Sequence, residues 1–280
     1  MSYFGFLALF LGIPILALAF AVWRDRRHGR RLSSALSAHG PAAVIFLHVV
    51  VALLYTTPWD NYLVATGVWW YDPELVTGVT LGWVPLEEYV FFVVQPIFTG
   101  LWLLFAGRRL SRAGRERAFE ARPALRKWTV LAAGLIWFAA VAALAGRWQS
   151  GTYLGLELGW ALPPIMLQLA FGADILWHHR RLVVTALLPP TLYLAAADAV
   201  AIGAGTWTID PAQSLSVYLG GVLPVEEFVF FLLTNTLIVF GVTLALSQES
   251  VARLPQRLVH GNRRRLPTPG PGRRTMNESG

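Results

Sequence analysis

Two stretches decide how this chain reads: Pro85-Leu-Glu87-Glu88-Tyr-Val-Phe91-Phe92 and Pro224-Val-Glu226-Glu227-Phe-Val-Phe230-Phe231. Each opens a long apolar run with a proline, an apolar residue and two adjacent glutamates. The match continues upstream, where Asp60, Gly67, Trp69, Asp72 and Pro73 stand 138 residues before Asp198, Gly205, Trp207, Asp210 and Pro211. One residue inserted ahead of the second proline makes the offset between the glutamates 139. Carboxylates at the mouth of a membrane-length helix are costly to keep, so their recurrence points to a duplicated membrane protein with acid chemistry to perform.

Composition agrees. Of 280 residues, 55% are hydrophobic and 14% charged, and the mean hydropathy is +0.52, values that fit a polytopic membrane protein and not a soluble domain. The absence of cysteine excludes disulfides, thiolate metal sites and cysteine nucleophiles. Seven apolar runs are long enough, or nearly so, to cross a bilayer: 3–23, 41–57, 84–105, 129–145, 155–176, 182–201 and 222–246. Segments 24–40, 106–128, 177–181 and 247–280 hold 22 of the 23 Lys and Arg, and the opposite loops hold only Arg147. This asymmetry predicts a multi-pass protein of the cell membrane with its N-terminus extracytoplasmic and its C-terminus cytoplasmic. The net charge of +7 is then a topology signal and not a nucleic-acid footprint.

Ala17-Leu-Ala19 resembles a signal-peptide cleavage site, but no basic residue precedes the first run and five arginines follow it, the order of a retained helix. Beyond about Gln248 the chain is rich in Arg, Pro and Gly and is expected to lack fixed structure, lying against anionic headgroups. Span one ends Trp23-Arg-Asp-Arg-Arg27 and span five ends Trp177-His-His-Arg-Arg181. The fold expected is therefore all-α and membrane-integral, in a 3+1+3 arrangement. Residues 1–106 form one repeat, 107–154 a basic loop with a connector helix, 155–247 the second repeat, and 248–280 a basic tail. An odd connector gives both halves one orientation, so both glutamate pairs face the extracytoplasmic side and can flank a shared cavity.

Proline at a first helical turn costs no hydrogen bond, which places Glu87, Glu88, Glu226 and Glu227 in first turns, where the helix dipole favours a carboxylate. Capping alone would explain one glutamate in one copy. The dipole is worth only about 0.3–1 kcal/mol, however, and burying two adjacent carboxylates costs more than that. A protonated glutamate beside an ionised one is an acid next to a base. Successive residues on a helix point about 100° apart, so one member of each pair can face a cavity while its neighbour orients it. The sequence does not say which. Below the pairs, Phe91, Phe92 and Gln95 in one copy match Phe230, Phe231 and Thr234 in the other, with Asn235 following. Aromatics under an acid can line a substrate pocket and stabilise a carbocation through their π faces, although helix packing accounts for them as well. Asn235 reads more readily as interhelical glue. Asp60 and Asp198, at the ends of spans two and six, are candidates to support the glutamates, and Asp72 and Asp210 read as turn residues. Glu157 and Asp174 near the ends of span five are expected to snorkel to water. His48 reads as a packed residue, and no histidine pair is set on one helix face for metal. No dinucleotide fingerprint or P-loop is present.

The glutamate repeats, with the Phe pairs and Thr234-Asn235-Thr-Leu-Ile-Val-Phe240-Gly241, closely resemble the small membrane lycopene cyclases of bacteria, archaea and fungi, in the fused form. The resemblance covers residues 1–247. It implies cofactor-free conversion of the ψ ends of lycopene to β-ionone rings in carotenoid biosynthesis, with Glu87, Glu88, Glu226 and Glu227 as the catalytic carboxylates, acid and base unassigned. The substrate is then lycopene or a related carotenoid in membrane lipid; self-association and association with other carotenoid enzymes are left open. The first copy departs from the pattern where Gln95-Pro96 stand opposite Thr234-Asn235. Related members make ε rings or act on C50 carotenoids, and the motif does not choose among these. The rival reading is a sugar carrier of the same 3+1+3 plan, with Pro14 and Pro163-Pro164 as hinges. The carboxylates gathered at one face argue against it. A retinal-type receptor is poorer still, since the only lysine, Lys127, lies in an inner loop.

Overall fold

A computed structural model describes residues 1–110 and 118–254. Among these, seven helices are long and apolar enough to cross a bilayer: α1 (Tyr3–Arg27), α2 (Pro41–Ala65), α3 (Leu86–Leu110), α4 (Pro123–Ala145), α5 (Gln149–His178), α6 (Arg180–Gly203) and α7 (Val225–Leu246). A short α8 (Gln248–Arg253) follows. The stretch expected to be unstructured from about 248 therefore begins as a capped helical turn, with Ser247 Oγ accepting from the Ser250 amide at 3.1 Å. The rest of that tail, 255–280, lies outside the described residues, as do 111–117 of the basic loop.

Several helices outrun their apolar cores. Helix α2 continues through Pro58, whose missing amide costs a single hydrogen bond, and carries Asp60 and Asn61 inside its last turns. Helix α6 likewise passes Asp198 and ends at Gly203. The two aspartates therefore occupy helical positions facing the protein interior. A π-helical stretch, Ala8–Gly12, precedes Pro14 in α1.

Helices α3 and α7 are the most buried of the seven, and α4 is the least. Helix α3 packs on α1, α2, α6 and α7; α7 packs on α2, α5 and α6; α4 rests chiefly on α5. The inner half of the bundle is an aliphatic core including Leu103, Ile175, Leu182, Val239 and Leu246. Two buried aspartates pin its rim, at the end of the bundle away from the glutamates. Asp25 pairs with Arg30 and Arg109, both at 2.9 Å, and Asp174 takes a two-pronged contact from Arg253 at 2.9 and 2.8 Å. Asp174 thus reaches a cation and not water. The outer half is aromatic, built around Tyr3, Phe6, Phe91, Phe92, Phe230 and Phe231.

The outer loops add short ladders that the helical reading did not foresee. Strand β1 (Trp69–Tyr71) of the first half pairs antiparallel with β4 (Trp207–Ile209) of the second, Trp70 opposite Thr208. Each half also has a small hairpin ahead of its glutamates: β2 (Thr80–Leu81) with β3 (Val84–Pro85), and β5 (Tyr218–Leu219) with β6 (Leu223–Pro224). The inserted residue falls in the second hairpin turn, where Gly220 and Gly221, at φ +59° and +76°, stand opposite the single Gly82 at +69°. A turn absorbs an extra residue without shifting the register of the strands it joins, so both prolines keep their place.

Candidate active site

Each glutamate pair is split by its helix. In the first half Glu87 turns back to the loop, where its Oε1 accepts the Thr77 amide at 2.6 Å. In the second half Glu226 accepts the Leu215 amide at 2.6 Å. Both are fully buried, and each uses the charge of a first-turn carboxylate to hold the loop that covers it. Glu88 and Glu227 point the other way, into a common chamber.

Glu88 accepts hydrogen bonds from two phenols, Tyr3 Oη of α1 and Tyr71 Oη at 3.0 Å. Burial, with the Glu88 carboxylate beside it, raises Tyr71 above the ordinary tyrosine range, so its hydroxyl stays a donor. Tyr71 is itself held by Trp69 Nε1 at 3.1 Å. Glu227 accepts from Tyr153 Oη of α5 at 2.7 Å. Tyr3 and Tyr153 are counterparts, since Ser2-Tyr-Phe-Gly5 matches Thr152-Tyr-Leu-Gly155 and both amides bond the loop of their own half, Leu75 O at 2.8 Å and Gln213 O at 2.9 Å. The correspondence then fails twice. Ile209, 138 residues on, holds the repeat position of Tyr71, so Glu227 has no second phenol from that position. Glu157 stands opposite Leu7, placing an additional carboxyl in the second half. Glu157 is fully buried and neither of its oxygens is hydrogen-bonded, the reverse of the snorkelling expected.

Asp60 and Asp198 line the same chamber. Trp207 Nε1 donates to Asp198 at 3.1 Å, and one oxygen of each aspartate is buried without a partner. The remaining walls are aromatic. Phe91 and Phe231, from different halves, meet edge to face at 6.3 Å, and Trp59 stacks on Phe230 at 6.0 Å. The chamber has a volume of about 50 Å³, and every helix of both halves contributes to it. Gln95 and Asn235 lie deeper, where Asn235 Oδ1 accepts from Gln95 Nε2 at 2.9 Å and Thr99 Oγ1 at 2.6 Å while its Nδ2 donates to Thr191 at 3.1 Å. These amides link α3, α6 and α7; Gln95 also touches a second, more apolar cavity.

The tyrosines and Glu157 are the residues that sequence reading missed. Their signal was present as the Tyr-x-Gly pair, but its offset is 150 and not 138, because the link between the first two helices of the second half is shorter. At the opposite end of the bundle, His178 and His179 approach Glu249 at 3.9 and 3.5 Å. The ligand atoms of these three lie within 4.8 Å of one another, a convergence that adjacent histidines on one helix did not foretell.

The model of the family described as lycopene cyclase matches residues 1–106 and 150–245, both halves without the connector. A lycopene beta-cyclase of Halobacterium salinarum is 37% identical over 243 residues, covering 87% of this chain and 95% of the relative. Bifunctional lycopene cyclase/phytoene synthases of Podospora anserina and Colletotrichum graminicola are 37% and 38% identical over 70% and 69% of this chain, which spans 34% of each. No solved structure matches. With two diverged halves meeting over one acid chamber and both matched by the family model, the chain belongs to the lycopene cyclase family.

Proposed function

We propose that this protein closes the ψ ends of lycopene into β-ionone rings by acid–base chemistry, with Glu227 as the acid and Glu88 as the base. The observation that carries the reading is one carboxyl from each half, each held by a buried phenol, facing a single aromatic chamber. Glu227 delivers its proton to C2 of the terminal double bond, leaving a cation at C1. The C5=C6 bond attacks, forming the C1–C6 bond and moving the cation to C5. Glu88 removes the C6 proton and its electron pair completes the ring double bond. One proton enters and one leaves, so the product is an isomer and the step calls for no oxidant or reductant. The enzyme resets when the proton passes back from Glu88 to Glu227.

Hydrogen-bond supply supports the assignment. Two phenols on Glu88 favour its ionised form, and hydrogen bonds to a charged acceptor contribute about 1.5–3 kcal/mol each. Glu227 has one phenol and sits with Glu157 and Asp198, neighbours beside which a second negative charge is unfavourable. Aromatic walls exclude water, which would quench the cation, and present π faces to it.

The seven helices are best read as two parallel three-helix repeats, 1–106 and 155–247, joined through α4 in 107–154. The arginine distribution supports a multi-pass chain in the cell membrane with the chamber at the extracytoplasmic side. Lycopene reaches it from the lipid. The fungal relatives carry phytoene synthase in the same chain, which favours association with other carotenoid enzymes. The test is expression in lycopene-accumulating cells with chromatography of the pigments. Cyclic products with β rings are expected; unchanged lycopene in the presence of folded protein refutes the activity, and ε rings would move the proton abstraction from C6 to C4.

A further inference from the structure

A second cavity of about 250 Å³ lies between α2 and α5, floored by α3 and α7. Leu47 and Val51 on its α2 wall are 58% and 54% exposed, so it opens on the surface that faces lipid. Of its polar side chains, His48 Nδ1 contacts Val44 O at 2.7 Å, Gln168 Nε2 donates to Leu237 O at 3.0 Å and Gln95 Nε2 donates to Asn235 at 2.9 Å. Three phenyl groups, Phe91, Phe92 and Phe230, line both this groove and the acid chamber. They form a partition one side chain thick. The chamber behind them holds on the order of a few waters and is too small for a branched isoprenoid end while they stay in place.

We infer, on the cyclase reading above, that the groove between α2 and α5 receives the polyene arm of the substrate. The molecule enters sideways from the bilayer and turns its end past Phe91, Phe92 and Phe230 to the carboxyls. Continuity with the chamber selects this occupant over a lipid chain, because only a substrate needs both compartments at once. The duplication supplies a comparison. Tyr55 Oη roofs the groove by donating to Trp160 O at 2.8 Å, and its counterpart Tyr193 donates to Phe10 O at 3.0 Å across α1 and α6. Under that second bridge Leu11, Phe98 and Leu194 are buried in one apolar cluster, and Phe98 stands where the groove has Leu237. The α2–α5 side therefore provides the mouth, and the two ends of one lycopene are cyclised in successive binding events.

Ala52, in the groove wall away from the carboxyls, is the position to fill. Binding is read on a Glu227→Gln background by titrating lycopene into protein in phosphatidylcholine vesicles and following tryptophan emission, Trp160 lying in the wall. Ala52→Phe is expected to raise the half-saturating lycopene concentration at least tenfold, and KM by the same factor in the active protein. Ile136→Phe, on the lipid face of α4, should change neither. If Ala52→Phe fails to fold by elution and thermal transition, Ala52→Leu is read the same way, with a rise of threefold or more expected. Wild-type half-saturation in a folded Ala52 variant means a lipid chain owns the groove, and an equal effect at Ile136 means the effect is not local; either overturns the inference. Wild-type protein that binds lycopene through the groove but forms no ring would overturn the cyclase reading alone.

Discussion

Adjacent glutamates with opposite orientations make a contrast that four single substitutions can test. Glutamine keeps the size of the side chain and an acceptor oxygen, and removes both the charge and the exchangeable acid proton. At Glu88 or Glu227 that abolishes proton transfer to or from substrate, an effect worth about 10²–10⁴ in rate, or about 3–5 kcal/mol on the barrier. At Glu87 or Glu226 the contact at stake is a loop amide at 2.6 Å. Glutamine still accepts it, and the loss is the difference between a charged and a neutral acceptor, about 1–1.5 kcal/mol of stability. Initial rates of ring formation on purified protein, beside a thermal transition in the same detergent, separate the two. Glu88→Gln and Glu227→Gln should stay folded and turn over at least about a hundredfold more slowly. Glu87→Gln and Glu226→Gln should melt earlier and keep their rates within about tenfold. A folded Glu87→Gln protein without activity, alongside an active Glu88→Gln protein, would refute the assignment of chamber and loop.

Three further outcomes follow from named contacts. Tyr71→Phe takes one of two donors from Glu88 and should lower turnover about tenfold or more at neutral pH, whereas Tyr153→Phe should cost less because the acid works from its neutral form; the opposite order in steady-state assays would exchange acid and base. Asn235→Leu leaves Gln95, Thr99 and Thr191 without their shared partner and should cost about 1–3 kcal/mol in the thermal transition, with lycopene KM unchanged. Arg253→Ala strips the two-pronged contact from buried Asp174, leaving Arg126 at 3.7 Å. A loss of about 2–3 kcal/mol is expected in the same measurement, without change in product ring type.

The spans and the family were legible because each depends on a pattern confined to one helix or one loop: apolar length, and the recurrence of Pro-x-Glu-Glu. The orientation of Glu87 against Glu88 was not, since it depends on whether Thr77 or Tyr71 lies within reach, and those contacts belong to the loop fold. Helix α2 was read too short because Pro58 looks like a stop, although a proline removes one hydrogen bond and a packed helix survives that. Reading Asp60 at a helix end hid its place in the chamber. Glu157 was misread for a related reason. A carboxylate near the end of an apolar helix usually reaches water, but α5 begins at Gln149, a full turn and more ahead of the apolar run, and this puts Glu157 inside the bundle.

The departures from symmetry are where the chemistry asks for them. Two equal carboxyls in equal surroundings share protons without either being committed as donor or acceptor, and their titration belongs to the pair. Ring closure needs a committed acid on one side of the substrate and a committed base on the other. A phenol at 71 and an isoleucine at 209 set the hydrogen-bond supply of Glu88 above that of Glu227. A leucine at 7 and a glutamate at 157 put the extra acidic neighbour on the Glu227 side. On the assignment proposed above, the first difference adds a hydrogen-bond donor to the base and the second adds an acidic neighbour to the acid. A closed dimer of identical halves would present the same residues at both ends of the chamber, so joining two copies in one chain lets each glutamate acquire its own surroundings and makes a directional proton path possible.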